Sequence, residues 1–322
     1  MNGSDLGSRF GGPAGSGFTR ELGRQGGDVY RYREAFDWRN VDRIRTQFGQ
    51  ALAEFLGGLL PGDRWEIYWA AGVGAMGSNK ADLDCETAAL DALLSLLREK
   101  LPASAAAGSL GFASSAGALY SGCPDFEITE SSAVAALTDY ARAKLAQEQL
   151  LQDFAASAAG IGLLVARFST LYGPGQSFGK QQGLLSHIAR CALRHKPVEI
   201  FVPLDTSRDY LFTEDAACDF IGSLRALVDC GGTSRVKIIA AERSVTISEV
   251  VSTLNRLIKK RVRVVCNRNS MSNLYAPRVA YRSMYPLPAN NRFRRHTLLE
   301  GTAILLRAER AAYIAGSHGD RT

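Results

Sequence analysis

The chain has 322 residues, 46% hydrophobic and 22% charged, enough for one large α/β domain or two smaller ones. Lys and Arg exceed Asp and Glu by 38 to 32, a formal net charge of +6. The excess lacks the aromatic-interleaved basic stripe of a nucleic-acid binder, and no apolar run reaches membrane-spanning length, so neither nucleic acid nor membrane is expected as a partner.

The elements follow in chain order. A Gly- and Ser-rich opening without an apolar h-region predicts no signal peptide. FTRELGRQ reads as a short helix and DVYRYR (28–33) as an alternating strand. NVDRIRTQFGQALAEFLGGLL is an amphipathic helix ending near Gly57-Gly58. WEIYWAAG (65–72) is a buried strand, DCETAALDALLSLLREK (84–100) a helix, and SLGFASSAGALY (109–120) a strand followed by a loop. Another helix runs from Leu137 to about Ala158, then a strand, IGLLVARFSTLYGPG (161–175), then the helix QGLLSHIARCALRH and the short strand VEIFV. Apolar strands alternating with helices predict a parallel sheet covered on both faces.

The basic runs RLIKKRVRVV (256–265) and NRFRRH (291–296) read as a solvated face, or as an attraction for anionic small molecules. Cys85, Cys123, Cys191, Cys218, Cys230 and Cys266 form no CxxC pair, and the four histidines do not cluster with them. That pattern predicts no metal site, no disulfide framework and a reducing, cytoplasmic setting.

Chemistry concentrates in TDYARAK (138–144). Tyr140 and Lys144 are four residues apart and share a helix face. A phenol titrates near 10, and proton transfer near neutrality asks for a shift of roughly three units, about 4 kcal/mol. A neighbouring ammonium supplies part of it. Tyr-x-x-x-Lys is common by chance, but Ser114 and Ser115 lie upstream at the end of an apolar strand, where doubly wound sheets bind their ligands. A serine there can orient a substrate hydroxyl or carbonyl. FGGPAGSGF (10–18) carries Gly11, Gly15 and Gly17, a pattern that lets a backbone approach a pyrophosphate. Arg31 and Arg33 stand where an acidic residue normally holds the ribose of NAD, and arginines there suit the 2′-phosphate of NADP. Glu34 and Asp37, just beyond, keep NAD open.

In order, GGPAGSG, WAAG, ASSAGALY, FEITE, YARAKLAQEQ, RFSTLYGPGQ and SRDYLFTEDAA resemble the extended short-chain dehydrogenases/reductases, specifically the NAD-dependent epimerase/dehydratase type acting on nucleotide sugars. The likeness covers about residues 10–220, and TLLEG (297–301) resembles the C-terminal substrate lobe. It implies a Rossmann-like doubly wound parallel sheet with a smaller C-terminal substrate-binding lobe. The NAD(P)-binding domain would span 1–175. The substrate-binding lobe would span 176–322, with some segments returning to the Rossmann sheet.

The resemblance also assigns roles. Tyr140, Lys144 and Ser115 would be catalytic, with Ser114 the rival serine. Gly11, Gly15, Gly17, Arg31, Arg33, Ala70, Ala71 and Gly72 would bind NAD or NADP, with Tyr140 and Lys144 reaching the nicotinamide side. Ser114, Ser115, Tyr172 and Arg208 would bind a nucleotide-sugar substrate, Arg208 gripping its diphosphate, while Arg167 to Gly175 close over the site. Pairing into a homodimer through two helices is a further expectation.

Three features depart from the family pattern. SDLGSRF is more polar than a central first strand. The glycines are spaced GxxxGxG rather than GxxGxxG. SSAGAL lacks the acidic pair of the dehydratases, which argues against water elimination. The expected function is an NAD(P)-dependent nucleotide-sugar epimerase. The alternatives are an NADPH-dependent nucleotide-4-keto-sugar reductase and a non-catalytic Rossmann-fold binding protein.

Overall fold

Three N-caps set the helices that frame the site: Asn40, Asn79 and Thr138 each accept the backbone N–H three residues on. The computed structural model describes residues 13–25, 28–60, 62–70, 78–101, 108–158, 160–175, 183–267, 278–287 and 293–319. The first elements are α1 (Pro13–Arg24), α2 (Val41–Gly57), β1 (Trp65–Trp69), α3 (Lys80–Lys100), β2 (Gly108–Ser115), the single turn α4 (Ala116–Leu119) and β3 (Glu127–Ile128). Then come α5 (Asp139–Ser157), β4 (Ile161–Phe168), β5 (Thr170–Tyr172), α6 (Leu184–Leu193), β6 (Val198–Ile200), β7 (Ser207–Phe212) and α7 (Thr213–Asp229). The chain continues through β8 (Ser234–Ile239), β9 (Ser244–Thr246), α8 (Ile247–Ile258), β10 (Val264–Cys266), β11 (Ala280–Tyr281) and α9 (Leu298–Gly319).

The central sheet has the order β1-β2-β4-β8, and every neighbour pair is parallel. Strand β4 shows why its sequence is apolar at all but one position, Arg167. Leu163 and Val165 join the core under α2, α3 and α5 with Phe48, Leu93, Phe112 and Phe154. Leu164, Ala166 and Phe168 face the other way, onto Phe18 and Leu22 of α1 and Phe220 of α7. Side chains alternate along a strand, so a sheet covered on both faces needs both sets apolar. Between β1 and β2 the packing is close enough to require a glycine: a Cβ at Gly108 would fall 2.0 Å from the Trp65 ring.

A third apolar cluster joins α6, α8 and α9 to β5, β7 and β9 through Tyr172, Ile188, Phe212, Val245, Val250, Leu254 and Leu305. Strand β8 then returns to the central sheet beside β4. Among the described residues no helix is long and apolar enough to cross a membrane.

Two sequence expectations need correction. DVYRYR forms no strand: residues 28–32 have no regular structure, although Tyr32 is buried and Arg31 and Arg33 are exposed, as alternation predicts. The strand expected over 161–175 is two strands in different sheets, because after β4 the chain leaves the central sheet and β5 pairs with β7.

Candidate active site

The site lies where the carboxyl end of β2 meets the first turns of α5. Thr138 caps α5, its Oγ1 accepting the Ala141 N–H at 3.1 Å. The helix turns Ala141, Lys144, Gln147, Glu148, Leu151 and Phe154 inward, a stripe at helical spacing. Three of these six are polar. Such groups survive burial only when partnered.

Their partners are specific. Lys144 Nζ lies 2.8 Å from Glu86 Oε1 of α3 and donates to Gln147 Oε1 at 3.0 Å. It also sits 5.8 Å from the centroid of the Tyr140 ring and 5.1 Å from that of Phe112. Glu148 takes Arg167 in a fork, Nε to Oε1 at 3.1 Å and Nη2 to Oε2 at 2.6 Å. Arg167 Nη1 donates to the Tyr120 hydroxyl at 2.6 Å.

The two serines face different surroundings. Ser114 is buried and donates to Glu148 Oε1 at 2.5 Å. Ser115 is half-buried, accepts the Ala118 N–H at 3.3 Å, and lies close enough to the Tyr140 phenol to lower its pKa. The geometry thus brings Ser115, Tyr140 and Lys144 together and ties Ser114 and Arg167 into a buried ionic network beside them.

Electrostatics at the pair run against the sequence expectation. Burial pushes the Tyr140 phenol above its ordinary value; Lys144 pulls it down, Glu86 pushes it up, and the Ser115 hydrogen bond pulls it down. The net direction is upward, not the downward shift that Lys144 alone would give. For Lys144, burial opposes the charge, but Glu86, Tyr140 and Glu148 outweigh it and its pKa is raised.

Of the other expected positions, the described ones lie on separate parts of the fold. Gly15 and Gly17 lie within the first turns of α1 rather than in a loop before it, while Gly11, Ala71 and Gly72 fall outside the described residues. Ala70, half-buried, directly follows β1. Arg208 on β7 is half-buried and donates to the Ser207 carbonyl at 2.7 Å. Its neighbour Asp209 is buried and accepts the Ala241 and Arg243 N–H groups at 2.8 and 2.9 Å, fixing the turn after β8. Tyr172 is only 2% exposed and packs on Tyr210 and Phe212 in the core.

Sequence reasoning missed Glu86, Gln147 and Glu148. A signal was present: Glu86 interrupts the buried stripe of Leu83, Leu90, Leu93 and Leu97 on α3, and Glu148 lies between Lys144 and Leu151 on that of α5.

Comparison with known proteins adds the family. The profile described as the NAD dependent epimerase/dehydratase family matches residues 66–227, half of the chain. The chain belongs to this family. The family match begins at β1 and takes in Ser115, Tyr140 and Lys144. The chain is 26% identical over 150 residues to a dTDP-4-dehydro-6-deoxyglucose reductase of Escherichia coli, covering 47% of this chain and 46% of the reductase. It is 26% identical over 104 residues to a UDP-glucuronate 4-epimerase of Thermodesulfobacterium geofontis, covering 32% of this chain and 30% of that enzyme. The matched stretch therefore spans less than half the length of either curated relative. Among solved structures, MoeE5 in complex with UDP-glucose and NAD has a TM-score of 0.77 at 21% identity, over 97% of this chain and 100% of that one. That likeness is one of fold: the central sheet is Rossmann-like.

The residues present fit a nicotinamide dinucleotide. Ser115, Tyr140 and Lys144 converge beyond the carboxyl end of a parallel strand, where such sheets hold ligands. Glu86 and Gln147 accept two of the three Lys144 ammonium donors, which leaves one for a further acceptor among the described residues. Helix α1 opens with Pro13, suited to a first helical position, and Gly15 leaves its first turn without a side chain.

Proposed function

We propose that this protein is an NAD(P)-dependent nucleotide-sugar epimerase. The observation that carries the reading is the convergence of a strand-end hydroxyl, a phenol and an ammonium: Ser115 beside Tyr140, with Lys144 Nζ 5.8 Å from the phenol ring centroid.

When bound, the nicotinamide supplies the acceptor, and then the donor, of a hydride at one sugar carbon. The chain's own residues do the rest. Tyr140 Oη takes the proton of the sugar hydroxyl and returns it after the sugar has turned its other face. Ser115 Oγ holds that same oxygen in line. Lys144 offsets the negative charge that develops on the phenol oxygen. Arg208 pairs with the diphosphate, and its planar fork suits phosphate oxygens.

A second reading is an NADPH-dependent reductase of a 4-keto sugar, using the same trio once per turnover. Arg31 and Arg33 favour it: both guanidinium-bearing residues are exposed on either side of buried Tyr32, a placement open to a 2′-phosphate. The stretch similar to the Escherichia coli reductase points the same way.

Denaturing the purified protein, identifying any nicotinamide released, and titrating the emptied protein with NADH and NADPH separates these readings. Tightly held NAD supports the epimerase. Exchangeable NADPH supports the reductase and assigns Arg31 and Arg33 to the phosphate. Binding of neither overturns both and leaves a non-catalytic protein of this fold.

A further inference from the structure

We propose that Glu86 is a positioning residue of this site, fixing the Lys144 ammonium and cancelling part of its charge so that Tyr140 keeps its proton in the cofactor-free protein. The functional consequence rests on the proposed acid/base role of Tyr140; the physical effect on Tyr140 does not.

Glu86 is 1% exposed and Lys144 4%, so water screens their 2.8 Å contact little. The carboxylate is locked from a second side. Gln147 Nε2 donates to Glu86 Oε1 at 3.4 Å and to Thr87 Oγ1 at 3.1 Å, while Gln147 Oε1 receives Lys144. Lysine, glutamate and glutamine form a closed triangle between α3 and α5.

The charged and titratable groups facing the Tyr140–Lys144 pair can be taken element by element. From α3 comes Glu86. From α5 itself comes Glu148, whose carboxylate is already forked by Arg167 of β4. From β2 comes the neutral Ser115 hydroxyl. Tyr120, at the end of α4, is held by Arg167. Among the described residues the balance therefore turns on two charges of opposite sign, Lys144 favouring the phenolate and Glu86 opposing it. Burial adds to the effect of Glu86, in agreement with the raised pKa of Tyr140.

Glu86→Gln tests this directly, because the amide oxygen can still accept from Lys144 Nζ while the negative charge is gone. The readout is the phenolate absorbance of cofactor-free protein, taken as the difference between each background with Tyr140 and the same background carrying Tyr140→Phe. Tyr140 should ionise at a pH lower by about one unit or more in Glu86→Gln, the scale of a unit charge a few ångströms away at intermediate dielectric. Glu86→Asp, which keeps the charge, should stay near the wild type. A Tyr140 transition that is unmoved or raised in Glu86→Gln overturns the proposal. So does a wild-type Tyr140 that ionises below the ordinary phenol value of about 10, a result that requires no Glu86 variant to fold. Wild-type turnover in Tyr140→Phe would overturn the catalytic reading and leave this titration standing.

Discussion

Ser114 Oγ donates to Glu148 Oε1 at 2.5 Å, although the very next residue, Ser115, lies beside the Tyr140 phenol. Adjacent strand residues face opposite sides, so two neighbouring hydroxyls are given different work. Ser115→Ala should lower kcat by at least about tenfold, near 1.4 kcal/mol, with the fold intact. Ser114→Ala should leave kcat close to wild type and cost about 1.5–3 kcal/mol of stability, since it removes a buried hydrogen bond to a carboxylate. Steady-state rates and urea denaturation of both variants check this. The reverse assignment of losses would make Ser114 the substrate-facing serine.

Removing Lys144 takes a cation away from the buried Glu86 carboxylate. Lys144→Met should cost about 3–5 kcal/mol of stability, because a carboxylate 1% exposed loses its cation. Adding Glu86→Gln to that variant should recover most of the loss, and a double-mutant cycle in urea measures it. Lost turnover in Lys144→Met is therefore interpretable only beside its unfolding curve.

Gly301, in the first turn of α9, is held by Tyr172. A Cβ there would fall 2.3 Å from the Tyr172 hydroxyl oxygen and 3.0 Å from the Phe212 ring. Alanine should gain about 0.5–1 kcal/mol of helix propensity and lose about 1–3 kcal/mol to overpacking. The net expectation is a loss of about 1–2 kcal/mol, read as a lower urea midpoint. A more stable Gly301→Ala would show that the Tyr172 ring yields freely.

Alkaline pH should unfold the protein. Burial pushes the Tyr210 phenol up to about 12 and also raises Tyr172 and Tyr281. With the folded values raised, the unfolded chain releases these protons first. Stability is full below the ordinary phenol pKa near 10 and falls as pH rises from there through the folded values. Urea midpoints should drop steeply above about pH 10, with phenolate absorbance appearing together with loss of the native circular dichroism. Phenolates forming near their ordinary pKa of about 10 in a still-native protein would contradict this burial.

The sequence reveals some of these features and hides others, for physical reasons. The helix around Tyr140 is legible because Thr138, the stripe from Ala141 to Phe154 and the Ala-rich interior all agree. Strand β4 is legible because both of its faces must be apolar. DVYRYR carries the right alternation of exposed Arg and buried Tyr, but a strand also requires a paired neighbour, and periodicity does not supply one.

The Glu86–Lys144 pair is hidden because its partners stand 58 residues apart on two helices, and a lone glutamate reads as surface. Tyr172 sits in a Gly- and Pro-rich motif that suggests a ligand loop, yet its burial comes from α9, far along the chain. Gly15 and Gly17 suggest a loop by composition, but the helix starts earlier, at Pro13.

The most direct test is Tyr140→Phe, measured for turnover on a nucleotide sugar and for nicotinamide dinucleotide affinity in the same preparation. Loss of the phenol oxygen alone should lower kcat by about 10²–10⁴-fold, the usual contribution of a positioned acid/base group, with cofactor affinity close to wild type. A variant that keeps the wild-type rate would show that Tyr140 does not move the proton.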